Sequence, residues 1–248
     1  MDSVSADKFK EVAKDRLFLH TIDSDTFKHF SNYNYEAWIP PKSRRDWINQ
    51  WILPGEYIDI GCGGYPVTMD ISDGRRRGVG VDVSEKAALR HKKYFKDFYL
   101  FDIENIELRE IPDLLKRFET VVLSETLEHF RDPLPVLNKI KRFLRPGGRI
   151  LITYPNAYSV AQYVDRATHR GRWHRFADFH ENHIYLVRKH KLEVLFEKAG
   201  LVVKYFDFRP SDIIEGFPDE KSKFWKRIAQ LTPSFLGHQF FYVLDLKK

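Results

Sequence analysis

The chain has 248 residues, 43% of them hydrophobic and 15% aromatic, enough to bury one large core and too little patterned to suggest two equal domains. Its 41 basic and 35 acidic side chains leave a net charge of +6, a small excess that gives a mild preference for an anionic partner. A single cysteine excludes an intramolecular disulfide and fits a reducing, cytoplasmic setting, and no apolar run of about 18 residues argues for secretion or a membrane span.

Residues 1–42 crowd Phe27, Phe30, Tyr33, Tyr35 and Trp38 ahead of Pro40 and Pro41, and are expected to form an aromatic cap over the core or a substrate. Residues 43–248 then make the main domain. Trp47, Ile48, Trp51 and Ile52 give Ser43 to Leu53 an amphipathic helical spacing that Pro54-Gly55 ends. The stretch Tyr57 to Pro66 reads as a short apolar strand running into a glycine cluster. Gly61, Gly63 and Gly64 let the backbone approach a bound group, and Asp59 places a carboxylate at the strand end. Cys62 reads as a small residue packed under this loop, not as a nucleophile. Only a short helix fits between Pro66 and Gly78, since Asp73-Gly74 and Arg75 to Arg77 read as a turn and a solvated edge.

A second buried strand, from Gly78, ends in Asp82, about twenty residues after the glycines, where an acid can accept hydrogen bonds from a ribose. A dinucleotide-binding turn would carry a third glycine where Pro66 stands, and Asp59 would repel a pyrophosphate, so the expected ligand is a nucleoside without phosphate. Phe98 to Ile103 reads as a third strand carrying Asp102, either an acceptor for an adenine amino group or a turn residue. Thr120 to Glu125 is the fourth. Asp132-Pro133 then opens a helix with Leu137, Ile140 and Leu144 facing inward, closed by Pro146-Gly147-Gly148, before a fifth strand from Arg149 to Tyr154. Residues 156–183 are basic, aromatic and histidine-rich and are expected to form a substrate lid. Arg188 to Ala199 forms the next helix. Leu201 to Phe208 and Gln239 to Leu246 should pair antiparallel at one sheet edge, around an insertion over 210–237 with its own short helix from Phe224 to Leu231.

Asp-x-Gly-x-Gly over 59–63, followed by a strand ending in Asp82, resembles the class I S-adenosylmethionine-dependent methyltransferases. The segments Ser-Glu-Thr-Leu-Glu-His-Phe-Arg-Asp-Pro (124–133) and Leu-Arg-Pro-Gly-Gly-Arg-Ile-Leu-Ile-Thr-Tyr-Pro-Asn (144–156) resemble small-molecule, lipid-precursor and glycan O-methyltransferases. The resemblance covers about residues 55 to 208. With the strand-helix-strand spacing it implies an α/β fold, a Rossmann-like seven-stranded, mostly parallel sheet with helices on both faces. It also implies S-adenosyl-L-methionine as cofactor, held by Asp59, Gly61, Cys62, Gly63, Asp82, Val83, Asp102, Ile103, Ser124 and Glu125. In the family the base is read where Asp102 stands, which favours its adenine role.

Glu125, Glu128 and His129 follow the fourth strand as Glu-x-x-Glu-His. His129, with an ordinary pKa near 6.5, can take a proton from an acceptor hydroxyl, with Glu128 orienting its ring. Glu125, Glu128 and His129, with His183 or His180 from downstream, also offer mixed oxygen and nitrogen ligands for a divalent metal such as magnesium. That pattern resembles ubiquinone-pathway and small-RNA 2′-O-methyltransferases that use a metal there. Both mechanisms stay open. The expected function is O-methylation of a small molecule or glycan; a nucleic-acid acceptor, as in an RNA methyltransferase, and cofactor binding without catalysis are the alternatives.

Overall fold

The computed structural model describes residues 17–19, 39–63, 65–71, 74, 76–87, 92–160, 183–210, 227–228 and 231–247. The chain divides into two compact units, one of residues 1–124 and 139–151 and one of 125–138 and 152–248. Most of the expected cap, lid and insertion, with His180, lies outside the described residues.

The strands are β1 (Leu17–Leu19), β2 (Gly55–Ile60), β3 (Arg76–Asp82), β4 (Asp97–Leu100), β5 (Phe118–Ser124), β6 (Leu144–Pro155), β7 (Leu201–Pro210) and β8 (Gly237–Leu246). They run in the order β1-β4-β3-β2-β5-β6-β8-β7. The last seven in this order are the expected Rossmann-like sheet, mostly parallel, and β1 adds a three-residue parallel edge strand against β4 that no sequence pattern announces. The helices are α1 (Lys42–Trp51), α2 (Pro133–Ile140), α3 (Lys189–Lys198) and α4 (Pro233–Leu236).

In the first unit β2 is central, pairing in parallel with β3 on one side and β5 on the other. Strands covered on both faces should be continuously apolar, and Ile58, Ile60, Val79, Val81, Val121, Val122 and Leu123 are all buried. α1 puts Trp47 and Ile48 into the core and ends before Pro54, where Gly55 takes φ +118. At the opposite end of β2 from the glycine turn, Glu56 accepts from Arg117 Nε at 2.7 Å and Lys96 Nζ at 3.1 Å, and Arg117 also reaches Asp97 at 3.0 Å. Burial opposes the charge on Glu56, but these two cations outweigh it and hold its carboxyl below the ordinary range. This network ties together the amino ends of β2, β4 and β5.

The second unit holds the antiparallel pair β7 and β8, registered from Leu201 opposite Leu246 to Pro210 opposite Gly237, with α3 burying Leu192, Leu195 and Phe196. Asn156, just after β6, donates from its amide to the carbonyls of Ser234 and Gly237, which fixes the turn into β8.

Three boundaries differ from expectation. The third strand stops at Leu100, leaving Asp102 in the following turn. α2 ends at Ile140 and passes through a 3-10 turn, Lys141–Phe143, into β6, so Pro146-Gly147-Gly148 lies at the start of β6 and does not close the helix. Residues 67–70 form turns and not a short helix.

Gly78 and Gly80 explain how β3 packs so closely. A Cβ on Gly80 would come within 2.7 Å of the Phe95 and Phe98 rings. Gly80→Ala should therefore destabilise the protein by about 1–3 kcal/mol, read as a lower urea midpoint at unchanged m value. An unchanged midpoint would mean the two rings give way freely.

Candidate active site

The carboxyl ends of parallel strands are where an open α/β sheet leaves a crevice, and in the first unit the glycine turn follows β2 at that edge. Gly61 and Gly63 take positive φ, 69° and 61°, and the Gly61 N–H donates to Val81 O at 2.8 Å, bending the turn towards β3. Asp82, at the end of β3, accepts from the Gly63 N–H through Oδ2 and from the Ser84 N–H through Oδ1, both at 2.8 Å. One buried carboxylate thus holds two loops. A carboxylate has about four lone-pair sites, so Asp82 keeps capacity for hydroxyl donors. Val83 follows it, half-buried.

Asp59 is 1% exposed, accepts from Thr68 Oγ1 at 2.8 Å through Oδ2, and its Oδ1 has no hydrogen-bond partner among the described residues. Burial, with the nearby Asp82 charge adding to it against the Thr68 hydrogen bond, pushes the Asp59 carboxyl up to about 7. The same burial, reinforced by both acids, pushes the Cys62 thiol well above its ordinary value and supports its reading as a packed, unreactive residue.

Asp102 and Ile103 are buried in the turn after β4. The Asp102 carboxylate accepts from the Glu104 N–H at 2.9 Å and the Asn105 amide at 2.7 Å, so it does serve as a turn residue. Lys139 of α2 closes the same turn by donating to the carbonyls of Ile103, Glu104 and Ile106 at 2.8, 3.1 and 2.6 Å. Ser124 ends β5, half-buried.

In the second unit the chain leaves β5 through Glu125, whose φ of 52° lies in the left-handed region, at a cost of about 1–2 kcal/mol for a residue with a side chain. Thr153 offsets this: the Glu125 N–H donates to its carbonyl at 3.1 Å, and its hydroxyl donates to Glu125 Oε1 at 3.2 Å. A 3-10 turn, Leu127–His129, follows and presents Glu128 and His129. Glu128 is fully buried, with His183 Nε2 3.8 Å from its Oε1, and the His129 and His183 rings are 4.8 Å apart. One ligand atom from each of these three residues lies within 4.8 Å of the others. His183, one of the two downstream histidines expected here, joins this group; Glu125 is not in it, and its carboxylate accepts from the Thr153 hydroxyl.

Three residues to which the sequence assigned no role complete the geometry. Thr68 sits two positions past Pro66 in a stretch expected as a short helix, Lys139 lies on the helix opened by Asp132-Pro133, and Thr153 lies within the segment 144–156. Only the long-range hydrogen bonds give them a role.

The family model described as "Methyltransferase domain" matches residues 28–205, so the chain belongs to this family and is a class I S-adenosylmethionine-dependent methyltransferase domain. It is 28% identical over 209 residues to the ubiquinone biosynthesis O-methyltransferase of Pseudomonas fluorescens (strain Pf0-1), a match that covers 78% of this chain and 82% of that one. It is also 28% identical over 120 residues to the tRNA U34 carboxymethyltransferase of Cellvibrio japonicus, covering 44% of this chain and 37% of that one. A 30% identical match to the ubiquinone biosynthesis O-methyltransferase of Dechloromonas aromatica spans 50% of that relative. Among solved structures, a SAM-dependent methyltransferase from Archaeoglobus fulgidus superimposes with a TM-score of 0.58 at 18% identity, covering 83% of this chain and 91% of that one. Phosphoethanolamine N-methyltransferase 2 of Haemonchus contortus, in complex with S-adenosyl-L-methionine, gives 0.53 at 17% identity, covering 84% and 53%. Both share the fold.

The buried acid at the glycine turn has a consequence for stability. Asp59 holds its proton up to about pH 7 in the folded chain but only to about 4 when unfolded. The folded state binds more protons in between, so this contribution is fully present below about pH 4 and is lost as pH rises through about 7. Asp59→Asn should reduce the fall in urea midpoint between pH 5 and pH 8; an equal fall in variant and wild type would place the proton elsewhere.

Proposed function

We propose that this methyltransferase transfers its methyl group to an oxygen of a small molecule or glycan. The observation that carries the reading is the convergence of Glu128, His129 and His183, a buried carboxylate with two imidazoles, in the segments that follow β5 and precede α3. Methylating a nitrogen that is already nucleophilic needs little beyond alignment, whereas a hydroxyl must lose its proton as it attacks. The similarity over most of both chains to a ubiquinone biosynthesis O-methyltransferase supports an oxygen acceptor.

The residues at the glycine turn fit a ligand with a cationic amino acid end and a ribose. Asp59 Oδ1 is a buried acceptor for which a cation supplies the partner, and Asp82 keeps lone pairs for the ribose hydroxyls. Gly61, Cys62 and Gly63 line the approach, Val83 follows Asp82, and the Asp102-Ile103 turn, held by Lys139, offers its backbone to the adenine. Bound there, S-adenosylmethionine supplies an electrophilic methyl on a positively charged sulfur. His129 would take the proton of an acceptor hydroxyl as that oxygen attacks, with the His183 ring 4.8 Å from its own and His183 Nε2 3.8 Å from Glu128 Oε1. In the metal-assisted version Glu128, His129 and His183 would instead hold a divalent cation such as magnesium, which would lower the pKa of the acceptor hydroxyl.

Three measurements test the reading. Asp82→Ala should weaken S-adenosylhomocysteine binding by about 1–3 kcal/mol in calorimetry. Enzyme and isotopically labelled S-adenosylmethionine, incubated with an extract of the source organism, should place the label on the oxygen of a small molecule or glycan by mass spectrometry. Label only in the RNA fraction would favour a nucleic-acid acceptor, the second reading, which the match to a tRNA U34 carboxymethyltransferase and the net charge of +6 support. With the labelled acceptor in hand, a chelator should abolish turnover and magnesium or manganese restore it if a metal acts. If His129 is the base, turnover should ignore the chelator and His129→Gln should cost on the order of 10² to 10⁴ in rate. Full turnover in both His129→Gln and Glu128→Gln would sink both versions.

A further inference from the structure

Residues 183–188 form neither helix nor strand, so nothing in a regular ladder holds their backbone groups. They nevertheless carry His183 to Glu128 and His129. Among the described residues, contacts from three tyrosines hold them. The Tyr185 N–H donates to the carbonyl of Glu128 at 2.9 Å. The Tyr158 hydroxyl approaches Leu186 O at 3.4 Å, with the Arg188 guanidinium 5.2 Å from the centre of the Tyr158 ring. The third is the Tyr154 hydroxyl, which donates to Tyr185 O and accepts from the Val187 N–H at 3.0 Å.

Tyr154 is the decisive one. It lies near the carboxyl end of β6 with its side chain completely buried, so its ring position is set by the sheet and the core. Burial pushes its phenol well up, with the Val187 hydrogen bond opposing, so the group stays protonated and can donate and accept at once. It therefore fastens the strap at the carbonyl of residue 185 and the amide of residue 187, two and four positions past His183. By contrast, the Tyr185 contact to Glu128 joins the strap to a single 3-10 turn and not to the sheet.

We infer that Tyr154 is a positioning residue for the Glu128, His129 and His183 group: its hydroxyl pins the 185–187 strap to β6 and so delivers the His183 imidazole to the site. The inference rests on the reading of these three residues as the acceptor-activating group. It assigns Tyr154 no contact with cofactor or acceptor. The chemistry it serves requires an imidazole held within a fraction of an ångström, which an irregular segment does not provide unaided.

The test compares Tyr154→Phe with Tyr242→Phe. Tyr242 is a fully buried tyrosine of β8 in the same unit, and its hydroxyl has no hydrogen-bond partner among the described residues. Both changes keep the ring and remove one buried oxygen. With histidine ring carbons labelled, the wild type should show a nuclear Overhauser effect between the His129 and His183 rings. Tyr154→Phe should lose it and should exchange the Val187 amide faster, while Tyr242→Phe keeps both at wild-type values. Manganese alone serves as a second probe: where the wild type binds it, Tyr154→Phe should bind it roughly 10–100-fold more weakly. A ring-to-ring effect that survives in folded Tyr154→Phe overturns the positioning role and leaves the three-residue group intact. Its absence from the wild type overturns the group itself, and the inference with it. Loss in Tyr242→Phe as well would show that the unit tolerates no such change, and would likewise overturn a specific role for Tyr154.

Discussion

A single buried carboxylate, that of Asp82, organises the glycine-turn edge of the first unit. It accepts from Gly63 in the turn after β2 and from Ser84 in the turn after β3, so two loops that could open independently share one anchor. Burial pushes this carboxyl up, and the Gly63 and Ser84 hydrogen bonds oppose that shift, so the contacts that hold the two loops also favour its charged form. The glycine turn is consequently shaped before any ligand arrives, and the ordering that would otherwise weaken binding is already done when the chain folds.

The two ends of the central strand are treated in opposite ways. At its amino end Glu56 is matched by Arg117 and Lys96, and Arg117 in turn by Asp97, and these ion pairs bind strands together. At its carboxyl end Asp59 and Asp82 share a buried region in which, among the described residues, no cation contacts the Asp59 carboxylate. Charge is balanced where the fold needs fastening and left unbalanced where a cationic ligand would complete it.

How far the residues foretold this follows from the range of each interaction. The strand-turn-strand around Asp59 and Asp82 was legible because continuous apolar runs and glycines act locally, and the antiparallel pairing of β7 with β8 because both are long and apolar. The grouping of Glu128 with His129 was equally legible, since the two are adjacent. Asp102 remained open between two roles because its turn partners, Glu104 and Asn105, look like any polar loop. His183 was legible only as one of two downstream histidines, and the engagement of Glu125 was not legible: it depends on the Thr153 hydroxyl, 28 positions away, while a strap that Tyr154 holds carries His183. β1 was hidden for a different reason, as three residues carry too little periodicity to read.

Cys62 gives the glycine turn a property of another kind. It is the only thiol in the chain, it is buried beneath that turn, and the two neighbouring acids further disfavour its thiolate. Alkylating reagents act on the thiolate and need access to it, so labelling proceeds through conformations in which the turn has lifted. The rate of that labelling counts openings of the glycine turn directly, with no probe introduced and no second sulfhydryl to confuse the record.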